Sequence, residues 1–439
     1  MRVVQVVPGF GIGGTEKAGC VLAEGLGAAG HEAHVVGRAP GPRFLEAPAH
    51  GVRHHLIEEA DDGRYASAIH DLAPDVIHLH GGDYNEPLIS ALASVSTVRG
   101  SSATVVVTPV FGRPPASRET LSKCHTCLIG VYMLYRQRLW MGMTAEQAMR
   151  HGVGVVRINS FERTDPPQST LDPVEVAHAR RRELGVPEDA FVVGRIGRDT
   201  PGKWSAASEQ IVNRALESSE KVVWLSIGYP AEKRGRDRLE ARWGERFVNH
   251  PQTADFLMLA KVFAAMDVQL FFSLFGECFS TTICEAAGGG LPTIAGANPL
   301  RDNGQSEQII DGLNGYLVSS PEQAFERVSE LVNAPDKLQA MKQATHDYAH
   351  ARWTTPTITR DLVAFYEACK MHDPLASPYS QRILAEEAEF AAGYRPRMLK
   401  LLAEGPFERL KWNAKLRAVA NWNLHRLAVQ LKRLSSGRR

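Results

Sequence analysis

The chain opens on residues 2–16, which read RVVQVVPGFGIGGTE. A run of β-branched residues ends in a glycine-rich turn, and apolar residues then recur at helical spacing across residues 15–29. This order of strand, turn and helix is typical of a parallel sheet covered by helices. Glycines in such a turn let backbone amides approach a ligand, and a helix N-terminus favours negative charge, although the same turn also serves tight packing alone.

The alternation continues to residue 158 and starts again after a polar, proline-bearing stretch at residues 164–173. The predicted strands are residues 3–7, 33–36, 75–80, 104–107 and 154–158 in the first set, and residues 191–197, 222–228, 266–272, 292–295 and 315–318 in the second. The pattern predicts an α/β protein with two Rossmann-like, doubly wound domains, residues 1–170 and 171–354, whose strand ends face a cleft. A helix is predicted at residues 355–370, and residues 371–439 are predicted to form a linker, up to about residue 380, and a basic helical tail.

Composition places the chain among ordinary globular proteins, with 44% hydrophobic residues and a net charge of +1. Residues 395–439 hold twelve Lys or Arg against two Glu, a local charge of +10 that leaves −9 for the rest and argues against nucleic acid as a partner. Six cysteines in 439 residues are too few for a disulfide scaffold. The N-terminal apolar run is too short for a signal peptide and no run of about 18 apolar residues occurs, so we expect a cytoplasmic protein without a membrane span.

The second strand set begins within residues 191–204, FVVGRIGRDTPGKW, where Arg198 and Lys203 follow the strand end in a loop with glycine and proline. Two fixed cations at such a point hold a diphosphate and take up the charge that develops on it as a leaving group. A solvated basic loop is the alternative, since Arg and Lys are common on surfaces.

Residues 271–290 read FFSLFGECFSTTICEAAGGG and place two acids eight residues apart. Glu277 follows a predicted strand within a glycine turn, and Glu285 lies among apolar residues of the following helix, where a solvated carboxylate is unexpected. A ligand contact explains this position, and so does a buried structural hydrogen bond together with a charge at a helix start.

These motifs, in this order, resemble those of the family 4 retaining glycosyltransferases of the GT-B fold. The matching segments are Glu277-x7-Glu285, Gly197-Arg198-x4-Lys203, residues 13–16 (GGTE) and residues 75–80 (DVIHLH). The resemblance covers about residues 1–370, and the co-occurrence of the motifs is more specific than any one of them.

The resemblance implies retaining transfer of a sugar from a nucleotide-diphosphate-sugar donor, with neither a metal nor another cofactor. These motifs do not identify the acceptor, for which a glycan or a lipid-linked molecule is the class we expect. It implies that residues 1–170 face the acceptor, that residues 171–354 bind the donor, and that helix 355–370 crosses back to the first domain. Arg198 and Lys203 would hold the diphosphate, Glu277 the sugar hydroxyls and Glu285 the ribose hydroxyls. The implied donor-binding set is Gly13, Gly14, Arg198, Lys203, Glu277, Cys278, Phe279, Ser280 and Glu285, the implied catalytic set is Arg198, Lys203 and Glu277, and the acceptor-side candidates are Thr15, Glu16 and His80.

The chain departs from the family at residues 108–112, TPVFG, where members often carry a His-Asp pair. His80 or His125 would replace that imidazole, unless both are structural or surface histidines. Cys124 and Cys127 form a C-x-x-C pair with His125 between them, which offers at most three local ligands where a structural zinc site needs four. Metal binding, redox chemistry and simple packing all remain open for this pair.

In the tail, aromatic residues and leucines interleave with basic residues across 395–439. Such a segment suits an anionic membrane surface, and it also suits packing on the enzyme itself or on a partner subunit. The membrane alternative would place the protein at the inner face of the membrane and would fit a lipid-linked acceptor.

Three other functions remain as alternatives. A sugar-nucleotide 2-epimerase shares the fold, and a non-catalytic sugar-nucleotide-binding protein would keep the donor site without turnover. An NADP-dependent oxidoreductase would use Arg38 at the end of the second strand for a 2′-phosphate, but the N-terminal turn lacks the G-x-G-x-x-G spacing.

Overall fold

The computed structural model describes residues 1–11, 13–45, 48–115, 117–161, 173–200, 203–205, 207–231, 235–253, 255–274, 276–297 and 302–403. These residues divide into two compact units. The first unit holds Met1–Ser160 and Thr355–Gly393, and the second holds Phe161–Thr354 and the described residues from Tyr394 onward. Most of the predicted break at residues 164–173 and most of the basic tail, residues 404–439, lie outside the described residues.

The first unit is built on a seven-stranded parallel sheet with strand order β3-β2-β1-β4-β5-β6-β7. Its strands are β1 Arg2–Val7, β2 Glu32–Gly37, β3 Arg53–Leu56, β4 Val76–Gly81, β5 Thr104–Pro109, β6 His125–Leu128 and β7 Val153–Val155. Its helices up to residue 150 are α1 Gly14–Ala28, α2 Pro42–Leu45, α3 Asp62–His70, α4 Glu86–Arg99, α5 Arg118–Lys123, α6 Val131–Met141 and α7 Ala145–Arg150.

The central strands are mostly apolar because helices cover both faces of the sheet. Val4 and Val6 of β1 contribute to the core cluster under α3 and α4. On the opposite face, α1 approaches β1 closely, since a Cβ at Gly19 would overlap the Val7 side chain. A Cβ at Gly25 would likewise overlap Thr359, so this second glycine lets a later helix lie against α1.

The second unit has a six-stranded parallel sheet, order β10-β9-β8-β11-β13-β15, and a separate two-stranded sheet, β12-β14. Its strands are β8 Phe191–Ile196, β9 Val222–Ile227, β10 Phe247–His250, β11 Val268–Phe271, β12 Gly276–Glu277, β13 Thr293–Gly296, β14 Asp302–Asn303 and β15 Gly315–Val318. Its helices up to residue 350 are α8 Pro173–Glu183, α9 Ser208–Glu217, α10 Arg236–Trp243, α11 Phe256–Ala265, α12 Thr281–Gly288, α13 Gln305–Gln308, α14 Pro321–Val332 and α15 Pro335–His350. One buried apolar cluster covers each face of this sheet. Val193 and Trp224 belong to one cluster, and their strand neighbours Val192 and Leu225, which point to the opposite face, belong to the other.

Two further helices complete the described chain, α16 Thr355–Lys370 and α17 Pro378–Ala403. Helix α16 belongs to the first unit, and the chain passes from the first unit to the second within α17, after Gly393. Within the predicted linker, residues 371–380, the chain forms a 3-10 helix, Pro374–Ala376, and begins α17 at Pro378. Proline is favourable at the first turn of a helix, where its missing N–H costs nothing, so Pro378 begins a helix here.

The strand prediction is confirmed for the buried runs of the two large sheets, whereas β3, β6, β10 and the two-residue strands β12 and β14 were not predicted. The edge strands β3 and β10 are partly exposed and carry histidine, and β6 begins at His125. Polar residues are tolerated at the edge of a sheet, so β3 and β10 lack the apolar signal that marked the central strands. None of the helices that the structure describes is long and apolar enough to cross a lipid bilayer.

Candidate functional site

Lys203 and Glu277 meet at the carboxyl ends of neighbouring strands of the second unit. Lys203 Nζ donates to both carboxylate oxygens of Glu277, at 2.9 Å and 3.1 Å. The side chains are 34% and 16% exposed, respectively, so the pair is partly buried yet open to solvent. Strands β8 and β11 are hydrogen-bonded neighbours, and the loops that follow them carry the two residues. The sequence placed this cation and this acid at one site, and the geometry brings them together.

The backbone around Glu277 is fixed by the small sheet β12-β14. Gly276 pairs with Asp302 and Glu277 with Asn303, and the amide of Gly304 donates to the Glu277 carbonyl at 2.6 Å. Gly276 has φ +72°, and a Cβ there would overlap the Asp302 carbonyl oxygen. This position therefore requires glycine, both for its backbone conformation and for the close approach of the neighbouring strand.

Helix α17 supports the same small sheet from its other side. Asn303 is fully buried, and its amide donates to Tyr394 Oη at 3.3 Å and to Met398 Sδ at 3.1 Å. Arg397 of α17 donates to the carbonyls of Ser306 and Ile309 at 3.2 Å and 3.1 Å. The last turns of α17 therefore belong to the scaffold that holds the Glu277 strand.

Arg198 follows strand β8 and its side chain is exposed. Its carbonyl accepts hydrogen bonds from the Thr200 amide at 2.7 Å and from Trp204 Nε1 at 3.0 Å. The amide of Asp199 donates to Gln252 Oε1 at 2.8 Å. The backbone of this loop is thus held in place, while the guanidinium of Arg198 extends into solvent.

Arg195 is a component of this site that the sequence did not reveal. Its guanidinium is 3% exposed and donates to the carbonyls of Phe272 and Lys203. It lies 4.8 Å from the Trp204 ring centre and 4.5 Å from that of Phe271. Burial lowers the pKa of Arg195 to about 10, with Glu277 opposing that shift, so the group stays charged at neutral pH. An arginine between apolar residues of a predicted strand was the available signal.

Glu285 lies on helix α12 and is buried, 9% exposed. Ser280 caps this helix, and its own amide donates to Gln308 Oε1 at 2.8 Å. A phosphate contact from the Ser280 amide would therefore require that hydrogen bond to break. Cys278 and Phe279, which precede the cap, are also buried.

In the first unit, the predicted glycine turn lies at the start of α1. Gly13 and Gly14 are exposed, and Thr15 and Glu16 are half-buried. A Cβ at Gly13 would overlap the carboxylate of Glu16, so this acid already lies at the positive end of the helix.

His80 is buried at the end of β4 within a hydrogen-bonded network. Its Nε2 lies 2.6 Å from Gln5 Oε1, and the neighbouring His78 contacts Tyr366 Oη and Thr108 Oγ1, both at 2.7 Å. Burial lowers the pKa of His80 to about 3 and that of His78 well below its usual value. Both imidazoles are therefore neutral at physiological pH, and they link β1, β4 and β5 to α16.

Three other predicted positions have structural contacts of their own. Arg38 pairs with Asp62 and lies 4.1 Å from the Tyr65 ring centre. The side chain that an NADP-dependent oxidoreductase would use for the 2′-phosphate therefore already has partners within the protein. Cys124 and Cys127 are buried free thiols, and burial raises the pKa of each to about 12, which opposes thiolate chemistry. Across the described residues, no three His, Cys, Asp or Glu side chains cluster so as to hold a metal ion.

No protein-family model matches the chain. A D-inositol 3-phosphate glycosyltransferase of Stackebrandtia nassauensis is 28% identical over 247 residues, which span 50% of this chain and 54% of that protein. The chain thus matches about half the length of this curated relative.

Solved structures resemble the chain over most of its length. HepE of Anabaena in complex with UDP has a TM-score of 0.64 at 16% identity, covering 83% of this chain and 98% of that one. A glycosyltransferase of Rickettsia africae has a TM-score of 0.66 at 14% identity, with 84% and 99% covered. Sucrose-phosphate synthase of Thermosynechococcus elongatus has a TM-score of 0.61 at 16% identity, with 84% and 98% covered. The chain therefore has the GT-B fold of these glycosyltransferases, with its two Rossmann-like sheets of seven and six strands.

Proposed function

We propose that this protein is a retaining glycosyltransferase that takes its sugar from a nucleotide-diphosphate-sugar donor. The observation that carries the proposal is the contact of Lys203 Nζ with both carboxylate oxygens of Glu277, at 2.9 Å and 3.1 Å, at the carboxyl edge of a parallel sheet. Ligands of open α/β sheets bind at that edge. The curated relative is a glycosyltransferase, and HepE was solved with UDP, which supports the same class of donor.

Each side chain has a role that its chemistry fits. The ammonium of Lys203 and the guanidinium of Arg198 bind the donor diphosphate and neutralise the charge that grows on it as the sugar departs. The carboxylate of Glu277 accepts hydrogen bonds from sugar hydroxyls, and Glu285 accepts them from the ribose. Because two cations supply the positive charge, we propose that activity needs no added metal.

For the chemical step we propose that the acceptor oxygen attacks on the face from which the diphosphate leaves. The bond between the anomeric carbon and the phosphate oxygen breaks, the bond to the acceptor oxygen forms, and the acceptor proton passes to the leaving phosphate. That oxygen becomes more basic as its bond to carbon breaks, so it is suited to take the proton. The anomeric configuration is then retained.

A lipid-linked or cell-surface glycan precursor is the acceptor class we propose, with the enzyme at the inner face of the membrane. The support comes from the sequence, since residues 395–439 combine a local charge of +10 with interleaved aromatic residues and leucines.

The test is release of nucleoside diphosphate from UDP-, GDP-, ADP- and dTDP-sugars, each with EDTA and with water or a membrane lipid extract as acceptor. We expect one donor class to yield the diphosphate and Lys203→Met to abolish the release. The matched control is Lys337→Met, which breaks an exposed ion pair with Glu330 in the same unit.

Failure of every donor to release diphosphate above the Lys203→Met level would contradict the proposal. Recovery of an epimerised free sugar without any acceptor would instead identify a 2-epimerase. Determining the anomeric configuration of the new glycosidic bond in the product tests retention separately from donor use.

A further inference from the structure

We propose that the buried pair Arg195–Trp204 is the positioning element of the donor site, setting the backbone from which Arg198 and Lys203 reach the diphosphate. This inference rests on the proposed function, and it names residues with no assigned role in donor binding. Neither Arg195 nor Trp204 is placed to touch the donor, since they are 3% and 1% exposed.

Arg195 joins the two loops that carry the Lys203–Glu277 pair. One arm of its guanidinium donates to the carbonyl of Lys203 at 2.5 Å, and the other donates to the carbonyl of Phe272, five residues before Glu277. The Phe272 carbonyl also accepts the amide of Ser205 at 3.0 Å. The end of β11 is therefore tied to the Lys203 loop on both sides of Trp204.

Trp204 extends the same connection to the second cation. Its ring lies 4.8 Å from the guanidinium carbon of Arg195, and its Nε1 donates to the carbonyl of Arg198 at 3.0 Å. The carbonyls of both predicted diphosphate-binding residues are thus held by one buried pair. Tyr229 also packs against the indole, with ring centres 4.7 Å apart and the ring planes at 59°.

A planar, permanently charged group is needed for this task. The guanidinium fork reaches two carbonyls at once while its faces lie against aromatic rings, 4.5 Å away in the case of Phe271. Lysine has a single ammonium without a flat face, so it can replace the charge but not the bridging geometry. The buried positive charge also adds to the field that attracts an anion.

The close packing around the loop agrees with a positioning role. A Cβ at Gly197 would lie 3.3 Å from Trp204 Nε1, tighter than an ordinary contact. Gly228 has φ +71°, and a Cβ there would overlap the carbonyl oxygen of Gly197. Movement of the Arg198 backbone is thus limited on both sides.

The test is a double-mutant cycle on diphosphate binding. Native protein, Arg195→Met, Lys203→Met and the double variant are titrated calorimetrically with ADP, GDP, UDP and dTDP. One of these diphosphates should bind the native protein, and we expect Arg195→Met to lower the affinity for it by about tenfold. This is the loss expected when one well-placed hydrogen bond to a charged group is removed. If Arg195 acts through Lys203, the double variant binds no more than about twofold more weakly than Lys203→Met alone.

Arg181→Met is the matched control, because Arg181, like Arg195, is a buried arginine of the second unit. Arg181 forms an ion pair with Asp267 at 2.7 Å. It should lower the melting temperature and leave the diphosphate affinity within twofold. Should Arg195→Met not fold, Trp204→Phe provides a second cycle with Arg198→Met, since phenylalanine keeps a ring but loses the Nε1 donor. Arg195→Lys should restore folding without restoring full affinity.

Affinity of Arg195→Met within twofold of native, or fully additive losses in the folded cycle, would overturn the inference. Absence of binding by the native protein to all four diphosphates would instead contradict the proposed function. The two failures are therefore distinguishable in one set of titrations.

Discussion

Replacing Lys203 with methionine removes the ammonium from the proposed donor site while keeping most of the side-chain volume. In the unliganded protein this breaks the ion pair with Glu277, whose carboxylate is only 16% exposed. Exposed pairs are worth about 0.2–1 kcal/mol, and removing one member of a fully buried pair costs about 3–5 kcal/mol. For this partly buried pair we expect about 1–2 kcal/mol, with a fall in melting temperature of about 2–4 °C for each kcal/mol.

The effect on ligand binding should be larger than the effect on stability. A hydrogen bond to a charged group contributes about 1.5–3 kcal/mol, so diphosphate affinity should fall by about 10- to 150-fold. Glu277→Gln should behave in the opposite way, because it frees the ammonium from a carboxylate that lies 2.9 Å away. We expect that variant to bind the free diphosphate at least as tightly as the native protein, but to lose affinity for the diphosphate sugar.

Calorimetric titration of both variants with the diphosphate and with its sugar conjugate measures these differences. Binding of the diphosphate by Lys203→Met with native affinity would contradict a role for this ammonium in binding. So would a loss of affinity for the free diphosphate in Glu277→Gln as large as that in Lys203→Met.

Other predictions concern the scaffold around the site and the first unit. Gly276→Ala should abolish binding of the diphosphate sugar, because a Cβ at φ +72° would overlap a backbone carbonyl. Gly289→Ala is the control and should bind normally in the same titration, because Gly289 has φ −81° and the nearest atom to its added Cβ is 3.6 Å away. Asn303→Ala removes a fully buried amide that bonds to α17 and should lower the free energy of unfolding by about 1–3 kcal/mol, measured by urea denaturation. Burial lowers the pKa of His80 from 6.5 to about 3, so its contribution to stability is full above pH 6.5 and is lost as the pH falls toward 3. Between pH 7.5 and 5, the free energy of unfolding measured in urea should fall less for His80→Gln than for native protein. The difference should reach up to about 1.4 kcal/mol for each pH unit below 6.5, and equal falls would contradict the lowered pKa.

Much of the fold could be predicted because buried parallel strands need apolar residues on both faces. Val3, Val105 and Val223 each lie in such a buried strand. The edge strands β3 and β10 carry polar residues, which an edge position tolerates, and so resemble loops, whereas the edge strands β7 and β15 are apolar and were predicted. The two-residue strands β12 and β14 are too short to leave any period in the sequence.

The meeting of Lys203 with Glu277 could be predicted because both follow strands that end at the same edge of one sheet. The position of Arg195 could not, because strand periodicity predicts only which face a residue occupies and not which distant carbonyls it reaches. The same limit applies to His80, whose partner Gln5 lies 75 residues away. Such contacts depend on strand order, which a single sequence does not determine.

A crystal structure of the protein with a bound nucleotide-diphosphate sugar would show whether Arg198, Lys203 and Glu277 bind the donor together. We expect the diphosphate within hydrogen-bonding distance of Lys203 Nζ and the Arg198 guanidinium, with the sugar hydroxyls against the Glu277 carboxylate. A diphosphate bound away from the ends of β8 and β11, with Lys203 still paired to Glu277, would contradict it.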